Sequence, residues 1–324
     1  MNRYFSFSTY LRRRFGRRAQ KIPLDGGFDC PNRDGSISRS GCIFCSPLGS
    51  GTGSGMQGST IEEQWNLWRR KIRSRQGDAL CLAYLQSFTN TYGPPDRLRH
   101  VLDTIIALPD LAGVCIGTRP DCLDPEKQDM IASLPVEEVW IELGLQSAND
   151  ATLQRINRGH DVATFVKAVE TLSTSGINVC VHVIAGLPGE GEDDLLRTVE
   201  LVNALPVQGI KFHNLFVCRG STLARWWKEG LYHPPSREEY VSWLVSGLTI
   251  LRSDIVVQRL NADPRPGELL APQWAVQKSD LIHTIRRKLD DENLWQGSAR
   301  EESDHPPDWF SPPPHPCSKK ETPS

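Results

Sequence analysis

The sequence predicts an α/β fold, namely a partial (β/α)6 TIM-like barrel with a C-terminal extension. Short apolar runs alternate with amphipathic segments from residue 79 to residue 217, as in βαβ units with parallel strands and right-handed crossovers. Six strands can be counted, which suits an open partial barrel better than a closed eight-stranded one. Beyond residue 218 the regular alternation stops.

The first half of the barrel follows from capping signals and apolar periodicity. A hydroxyl residue followed by two acids predicts that a helix begins near residue 60, and its apolar spacing continues to about residue 76. The apolar run 79–87 is typical of a buried parallel strand. Segment 94–108 opens with proline and has one apolar face, which indicates the next helix. A strand just after Ile22 would precede these elements.

The same reasoning predicts the rest of the chain. In the barrel, strands 111–118, 138–145, 177–187 and 209–217 alternate with helices 124–134, 161–175 and 192–205. The extension would contain helices 222–230 and 236–251, a strand 254–260 and a last amphipathic helix 277–294.

Charge and composition divide the chain into four segments. The net charge of the 324 residues is −2, so the whole molecule has no strong attraction to nucleic acid or to an anionic membrane. Residues 1–21 form a basic lead segment without acids. The barrel core would cover 22–218 and the extension 219–296. The proline-rich tail 297–324 has the composition of a disordered segment.

The cysteine content indicates a reducing compartment. Nine cysteines are an odd number, and the sequence contains neither a signal peptide nor an apolar run near the roughly 20 residues of a membrane span. Disulfides are therefore not expected, and cytosolic cysteine clusters more often bind metals or carry redox chemistry. We expect a cytoplasmic protein without a membrane segment.

Three cysteines lie on one predicted loop. Cys30, Cys42 and Cys45 have no fourth Cys or His nearby, since the next candidates are Cys81 and His100. Both an iron–sulfur cluster and a structural zinc site normally have four ligands. The fourth ligand would therefore come from outside the chain, with a zinc site that borrows a remote His as the alternative.

The cysteine spacing, with Phe44 beside the last thiol, resembles the cluster loop of radical S-adenosylmethionine (SAM) enzymes. Successive motifs resemble those of the YhcC-type radical SAM family, which is related to the radical SAM part of the elongator catalytic subunit. These motifs are DGGFDC (25–30), GTRPDC (117–122), ELGLQS (142–147), INRGH (156–160), IAGLPGEG (184–191) and LLAP (269–272). The resemblance covers about residues 4 to 295.

The resemblance implies two cofactors and a fold of the radical SAM type. A 4Fe–4S cluster would be bound by Cys30, Cys42 and Cys45, and SAM would chelate the fourth iron. Reductive cleavage of SAM would yield a 5′-deoxyadenosyl radical that abstracts hydrogen from the substrate. A low-potential electron donor, flavodoxin or ferredoxin, is the implied partner.

The resemblance also suggests residues that contact SAM. Phe44, Ile184 and Gly186 would lie against the adenine, with the glycine allowing a close backbone approach. Gln146, Ser147 and Arg158 match positions near the methionine and ribose in related enzymes, and the guanidinium fork suits a carboxylate. Ser87 lies where many relatives carry a Gly-Gly-Glu motif, which this chain lacks. His182 replaces an acidic residue of those relatives, so ribose contacts must differ here.

Three further residues are candidates for the chemistry on the substrate. Asp121 and Cys122 follow a strand end, the face at which barrel enzymes place their catalytic groups. A turn aspartate and a small buried thiol explain them equally simply. Glu142 lies within an apolar strand and would face the cofactor, or else pair with a nearby arginine.

The substrate is the least determined part of the prediction. Kinship with the elongator subunit and the basic segment 11–21 favour modification of a tRNA base, a wobble uridine side chain. That segment is equally explained as a solvated helix face. The elongator reaction in full is not expected at this length. Radical modification of a small metabolite is one alternative, and a non-catalytic zinc-stabilised binding module is another.

Overall fold

The computed structural model describes residues 2–46, 49, 58–300 and 306–310. The helices are α1 (Phe7–Phe15), α2 (Ile61–Gln76), α3 (Pro95–Ile106), α4 (Pro125–Ala132), α5 (Asp150–Arg155), α6 (Val162–Thr174), α7 (Glu192–Ala204), α8 (Thr222–Lys228), α9 (Arg237–Ile250) and α10 (Lys278–Asp291). The strands are β1 (Ala19–Leu24), β2 (Leu80–Leu85), β3 (Leu111–Thr118), β4 (Glu138–Gln146), β5 (Asn178–Ala185), β6 (Gly209–Asn214), β7 (Val217–Cys218), β8 (Val256–Arg259) and β9 (Leu269–Ala271).

Seven parallel strands form one open sheet in the order β1-β2-β3-β4-β5-β6-β8. Strands β1 to β6 lie side by side in chain order, β8 follows β6, and helices cover the outer face. This arrangement is a half-barrel. The predicted fold class is confirmed. The strand predicted within the extension, 254–260, is β8, and it pairs with β6 as a seventh strand of the barrel sheet. Its short apolar sequence indicates a strand but not which sheet it joins.

The two faces of the half-barrel differ in polarity. Alternate strand residues such as Ile141, Val181 and Val183 are fully buried in the main core between sheet and helices. Residues facing the other way line the inside of the barrel and include Glu142, His182 and Lys211. Since successive side chains of a strand point to opposite faces, this alternation places polar groups inside the half-barrel.

Helix α1 closes the amino-terminal end of the barrel. Phe7 and Tyr10 contact the Trp140 indole edge-on, with ring centroids 5.7 and 5.6 Å away. Arg14 forms an ion pair of 3.2 Å with Glu138, the first residue of β4. The predicted basic lead segment is therefore part of the barrel, and β1 begins at Ala19, inside it.

The C-terminal part packs on the barrel rather than standing apart. Helix α9 packs against α7, and α10 packs against α9. Strands β7 and β9 form a small antiparallel pair. The short helix α5 was not predicted, because six residues are too few to show a helical period.

Part of the predicted disordered tail is ordered. Trp309 is 5% exposed, its indole donates 2.8 Å to the Ser253 carbonyl, and its ring stacks on Phe5. The prediction was therefore wrong for residues 306–310, because composition does not reveal one aromatic anchor. Residues 301–305 and 311–324, including Cys317, lie outside the described part of the chain. Among the described helices, none is both long and apolar enough to cross a membrane.

Candidate functional site

A cavity of about 270 Å³ opens at the carboxyl ends of the strands. Cys30, Cys42 and Cys45 line one side of it, and their loop follows β1. Asn157, which has a positive φ of 53°, holds this loop: its side-chain amide donates 2.7 Å to the carbonyl of Gly41. The loop is thereby fixed to the segment that follows β4.

N–H donors surround two of the sulfurs. The Asn32 amide lies 3.5 Å from Sγ of Cys42, and the Arg158 guanidinium lies 3.7 Å from the same atom. Arg33 lies 3.6 Å from Sγ of Cys45. Donors at these distances stabilise a thiolate. Burial nevertheless raises the pKa of Cys45 to about 11, so a bound metal must displace the thiol proton.

The donor set fits a 4Fe–4S cluster. Three thiols line one cavity, and hydrogen-bond donors are directed at the sulfurs of Cys42 and Cys45. Such donors tune cluster potentials. In the described part of the chain, no three His, Cys, Asp or Glu side chains are arranged to hold a single metal ion. A 4Fe–4S cluster does not require its ligands to converge on one ion, because each thiolate would bind a different iron.

The cavity wall next to Cys42 is formed by Arg158 and the end of β4. Arg158 is 7% exposed, and its Nη2 donates 2.8 Å to the carbonyl of Gly144. Its Nε has no partner among the described residues. Gly144 makes this position possible, because a Cβ there would lie 2.6 Å from the amide nitrogen of Gln146 and closer still to Arg158.

Five residues named for SAM and chemistry line the same cavity as the thiols. They are Phe44, Glu142, Gln146, Arg158 and Ile184. The structure thus brings together residues from the cysteine loop, β4, the α5–α6 connection and β5.

Three other residues named for SAM do not line this cavity. The Ser147 hydroxyl donates 2.5 Å to Glu190, and Ser87 is 1% exposed with no partner for its hydroxyl among the described residues. Gly186 has a φ of 87°, and the space a side chain would need is filled by Pro235 at 2.7 Å. A side chain at this position would collide with Pro235, so the glycine allows the two segments to pack closely.

Asp121 and Cys122 also lie outside the cavity lining. The Asp121 carboxylate receives two hydrogen bonds from Arg119, of 2.9 and 2.7 Å. Arg119 is 2% exposed, lines the cavity and donates 2.7 Å to the carbonyl of Arg158. Asp121 therefore orients the Arg119 guanidinium, which lines the cavity. Burial raises the pKa of Cys122 to about 12, so its sulfur is a thiol at neutral pH.

Glu142 is the centre of a buried ionic cluster at the floor of the cavity. Its carboxylate contacts Lys21 at 2.5 Å, the His182 Nε2 at 2.8 Å, and Lys211. Lys211 also donates 3.1 Å to the Tyr84 hydroxyl. The expected arginine partner is absent among the described residues, and the carboxylate instead pairs with two lysines and accepts from a histidine. Glu142 also lines the cavity, as the other interpretation of this residue predicted.

This cluster sets the charge states at the floor. Burial would raise the pKa of Glu142, but the charges of Lys21 and Lys211 hold it well below its usual range. Burial lowers the pKa of His182 to about 4 and that of Lys211 to about 8. At neutral pH the carboxylate is ionised, His182 is neutral, and its Nε2–H donates to Glu142.

Several cavity residues were missed from the sequence. They are Arg33, Tyr84, Arg119, His213 and Arg259, together with Lys211, which contacts the cavity-lining carboxylate of Glu142. Two of these residues could have been predicted from the strand pattern. In the segment KFHN, Lys211 and His213 alternate with the apolar Phe212, as polar residues on the inner face of a strand do.

The half-barrel and its thiol-lined cavity define a cofactor-dependent barrel enzyme. A family model for the radical SAM superfamily matches residues 38–202, and one for the radical SAM C-terminal domain matches 207–291. The chain belongs to the radical SAM superfamily and is a radical SAM enzyme. Membership implies a 4Fe–4S cluster and SAM.

Full-length relatives place it more narrowly. The chain is 36% identical over 296 residues to the uncharacterized protein YtqA of Bacillus subtilis, covering 91% of this chain and 92% of that one. It is 38% identical over 301 residues to YhcC of Escherichia coli K12, covering 90% and 94%. The YhcC-type family predicted from the motifs is confirmed.

The relation to the elongator subunit is also confirmed, at a greater distance. The archaeal Elp3 structure from Methanocaldococcus infernus superposes with a TM-score of 0.63 at 18% identity, covering 75% of this chain and 62% of that one. A tRNA uridine(34) acetyltransferase of M. infernus is 27% identical over 185 residues, which are 56% of this chain and 34% of that one. The structural likeness shows a shared fold.

Proposed function

We propose that Cys30, Cys42 and Cys45 bind a 4Fe–4S cluster with one open iron, at which SAM binds and is reductively cleaved. The observation that carries this proposal is that three thiols and an unpartnered buried guanidinium nitrogen, Nε of Arg158, belong to one cavity. When bound and reduced, the cluster would supply the one electron needed to cleave SAM into methionine and a 5′-deoxyadenosyl radical.

The chain's own residues would bind and orient SAM. The guanidinium of Arg158 suits the methionine carboxylate, because charged N–H donors bind carboxylates strongly. Phe44 and Ile184 supply apolar walls for the adenine, and Gln146 supplies an amide at the end of β4. Three residues outside the cavity lining would support the site indirectly, by holding the strand ends in place. They are Ser87, Ser147 and Gly186.

The electron must come from a low-potential donor. Flavodoxin or ferredoxin is the proposed partner, since radical SAM enzymes need a reductant. We also propose a cytoplasmic location, where such donors and reduced cysteines are found.

For the substrate we propose a tRNA base, a wobble uridine. The support is the similarity to the tRNA uridine(34) acetyltransferase over about half of this chain. The basic segment does not add support, because Arg14 contacts the start of β4 whereas the thiols lie beyond its end. A nine-residue strand separates the two by roughly 27 Å.

That separation favours a second candidate, radical modification of a small metabolite that enters the cavity. The two candidates differ in which molecules change when the gene is lost. Modified tRNA nucleosides from a deletion strain and its parent would be compared by mass spectrometry. Unchanged nucleosides would contradict the tRNA proposal, and a metabolite comparison would then test the second candidate.

The radical chemistry itself is tested with purified protein. Anaerobic reconstitution with iron and sulfide should give a brown protein, and dithionite with SAM should release 5′-deoxyadenosine. A colourless protein that binds zinc and releases no 5′-deoxyadenosine would overturn the proposal and favour the zinc-stabilised binding module.

A further inference from the structure

Three basic side chains occupy one row across the floor of the cavity. His182 on β5 is in register with Lys211 on β6, and Lys211 is in register with Arg259 on β8. All three line the cavity or contact its buried carboxylate. The row lies two residues before Ile184, so it is roughly 7 Å deeper along the strands than the proposed adenine wall.

The charges in this row are not balanced. Glu142 is paired with Lys21, Lys211 and His182. Arg259, by contrast, makes no hydrogen bond or ion pair with any residue that the structure describes. Burial is the main cause that lowers the pKa of His182 and of Lys211. The charge of a neighbouring lysine lowers each pKa further, and the charge of Arg259 adds a smaller contribution in the same direction. The floor therefore carries an excess positive charge at neutral pH.

Two further buried nitrogens close to Arg259 lack hydrogen-bond partners among the described residues, and both can act as donors. The His213 Nε2 and the Asn214 Nδ2 are buried without a hydrogen-bond partner in the described part of the chain, and both residues line the cavity. Asn214 is 2% exposed, and its Oδ1 already accepts a hydrogen bond from the backbone of Ala262. Its remaining capacity is a donor. Burial lowers the pKa of His213 well below its usual range, so its ring is neutral and has one N–H.

Burying a hydrogen-bond donor without a partner destabilises the fold. A ligand group that only accepts hydrogen bonds and carries negative charge would satisfy all of these donors. Carboxylate and phosphate oxygens have this property, and arginine binds both in a bidentate manner.

We propose that Arg259, His213 and Asn214 form a subsite for an anionic group, a carboxylate or a phosphate, on the substrate of the radical reaction. This inference rests on the proposed function, because it assigns a place in the cavity to the molecule that the radical attacks. Arg158 beside Cys42 and Arg259 on β8 then bind two different anions.

The subsite is tested by calorimetry on the reconstituted holoenzyme, saturated with SAM and without reductant. Inorganic phosphate and acetate are titrated separately at low ionic strength. Wild type should bind at least one of them at a single saturable site. The anion that binds more tightly indicates whether the subsite takes a phosphate or a carboxylate group of the substrate. Arg259→Gln should weaken that binding about tenfold or more. Arg259→Lys keeps the positive charge but loses the planar guanidinium, so its anion affinity should lie between those of wild type and Arg259→Gln. It also replaces the glutamine variant in the test if that variant does not fold.

Arg287→Gln on α10 is the matched control, because Arg287 is exposed, and it should bind both anions as wild type does. SAM affinity of Arg259→Gln should stay within about twofold of wild type, since one lost donor to SAM would cost more than that. Weaker SAM binding would assign Arg259 to the SAM site and overturn the proposal. Absence of saturable binding in wild type, or equal binding in Arg259→Gln, would also overturn it. Failure of wild type to cleave SAM would refute the proposed function while leaving the anion result intact.

Discussion

Arg158 joins the cysteine loop to the barrel sheet, since its Nη1 lies 3.7 Å from Sγ of Cys42 while Nη2 donates to the carbonyl of Gly144. One guanidinium therefore contacts both the proposed cluster ligand and the strand end that would hold SAM. Its Nε remains without a partner in the described structure. Substitutions in the cysteine loop, at Arg158 and at Gly144 should therefore have different effects on cluster binding and on SAM binding.

Cys42→Ala should abolish cluster binding. The remaining two thiolates cannot hold a 4Fe–4S cluster that already lacks a fourth protein ligand. Iron content and near-visible absorbance after reconstitution measure this. Cys81→Ala is the control, because Cys81 is buried in β2, away from the cavity. Equal iron content in the two variants would contradict the assignment of Cys42.

Arg158→Lys should retain the cluster but weaken SAM binding. Lysine keeps a positive charge and loses the planar fork, and one charged hydrogen bond corresponds to about tenfold to a hundredfold in affinity. Equilibrium dialysis with labelled SAM on the reconstituted variant gives the affinity. Unchanged SAM affinity with a full cluster would show that Arg158 serves the loop alone.

Gly144→Ala should weaken SAM binding without touching SAM itself. The new Cβ would lie 2.6 Å from the Gln146 amide and displace the Arg158 guanidinium. Gly247→Ala on α9 is the matched control, since a Cβ there meets ordinary contacts of 3.6 Å or more. Helix propensity predicts that the control is up to about 1 kcal/mol more stable. Both affinities come from the same dialysis assay, and an undiminished value for Gly144→Ala would contradict the close fit.

Stability should fall as the pH decreases from 6.5 toward 4. Burial lowers the pKa of His182 to about 4, so the unfolded chain binds a proton in this range and the folded chain does not. The free energy of unfolding should therefore lose up to about 3 kcal/mol from this residue. Urea unfolding at several pH values measures it.

His182→Gln should reduce that pH dependence. His213 acts in the same direction, because its pKa is also lowered by burial, so the slope should be reduced rather than abolished. His283→Gln, at an exposed position on α10, should leave the slope unchanged. Identical slopes for His182→Gln and wild type would show that His182 is not buried in its neutral form.

Local signals were sufficient for most of the elements. The helix predicted to begin near residue 60 has a full capping box between Thr60 and Glu63, and the strand 111–118 matches β3. Such features depend on neighbouring residues, which is why a sequence shows them. The sheet to which β8 belongs and the docking of Trp309 depend on distant contacts, and neither was predicted.

The sequence by itself determined the half-barrel, because capping and apolar periodicity are local along the chain, and the resemblance of successive motifs identified the family. It also singled out the three cysteines of one loop. Tertiary structure decided which residues share the cavity. It separated Ser147 and Gly186 from the lining, paired Glu142 with two lysines, and brought Arg259 beside His213. The physical reason is that a parallel sheet aligns residues far apart in sequence, and their register is set by packing across the whole barrel.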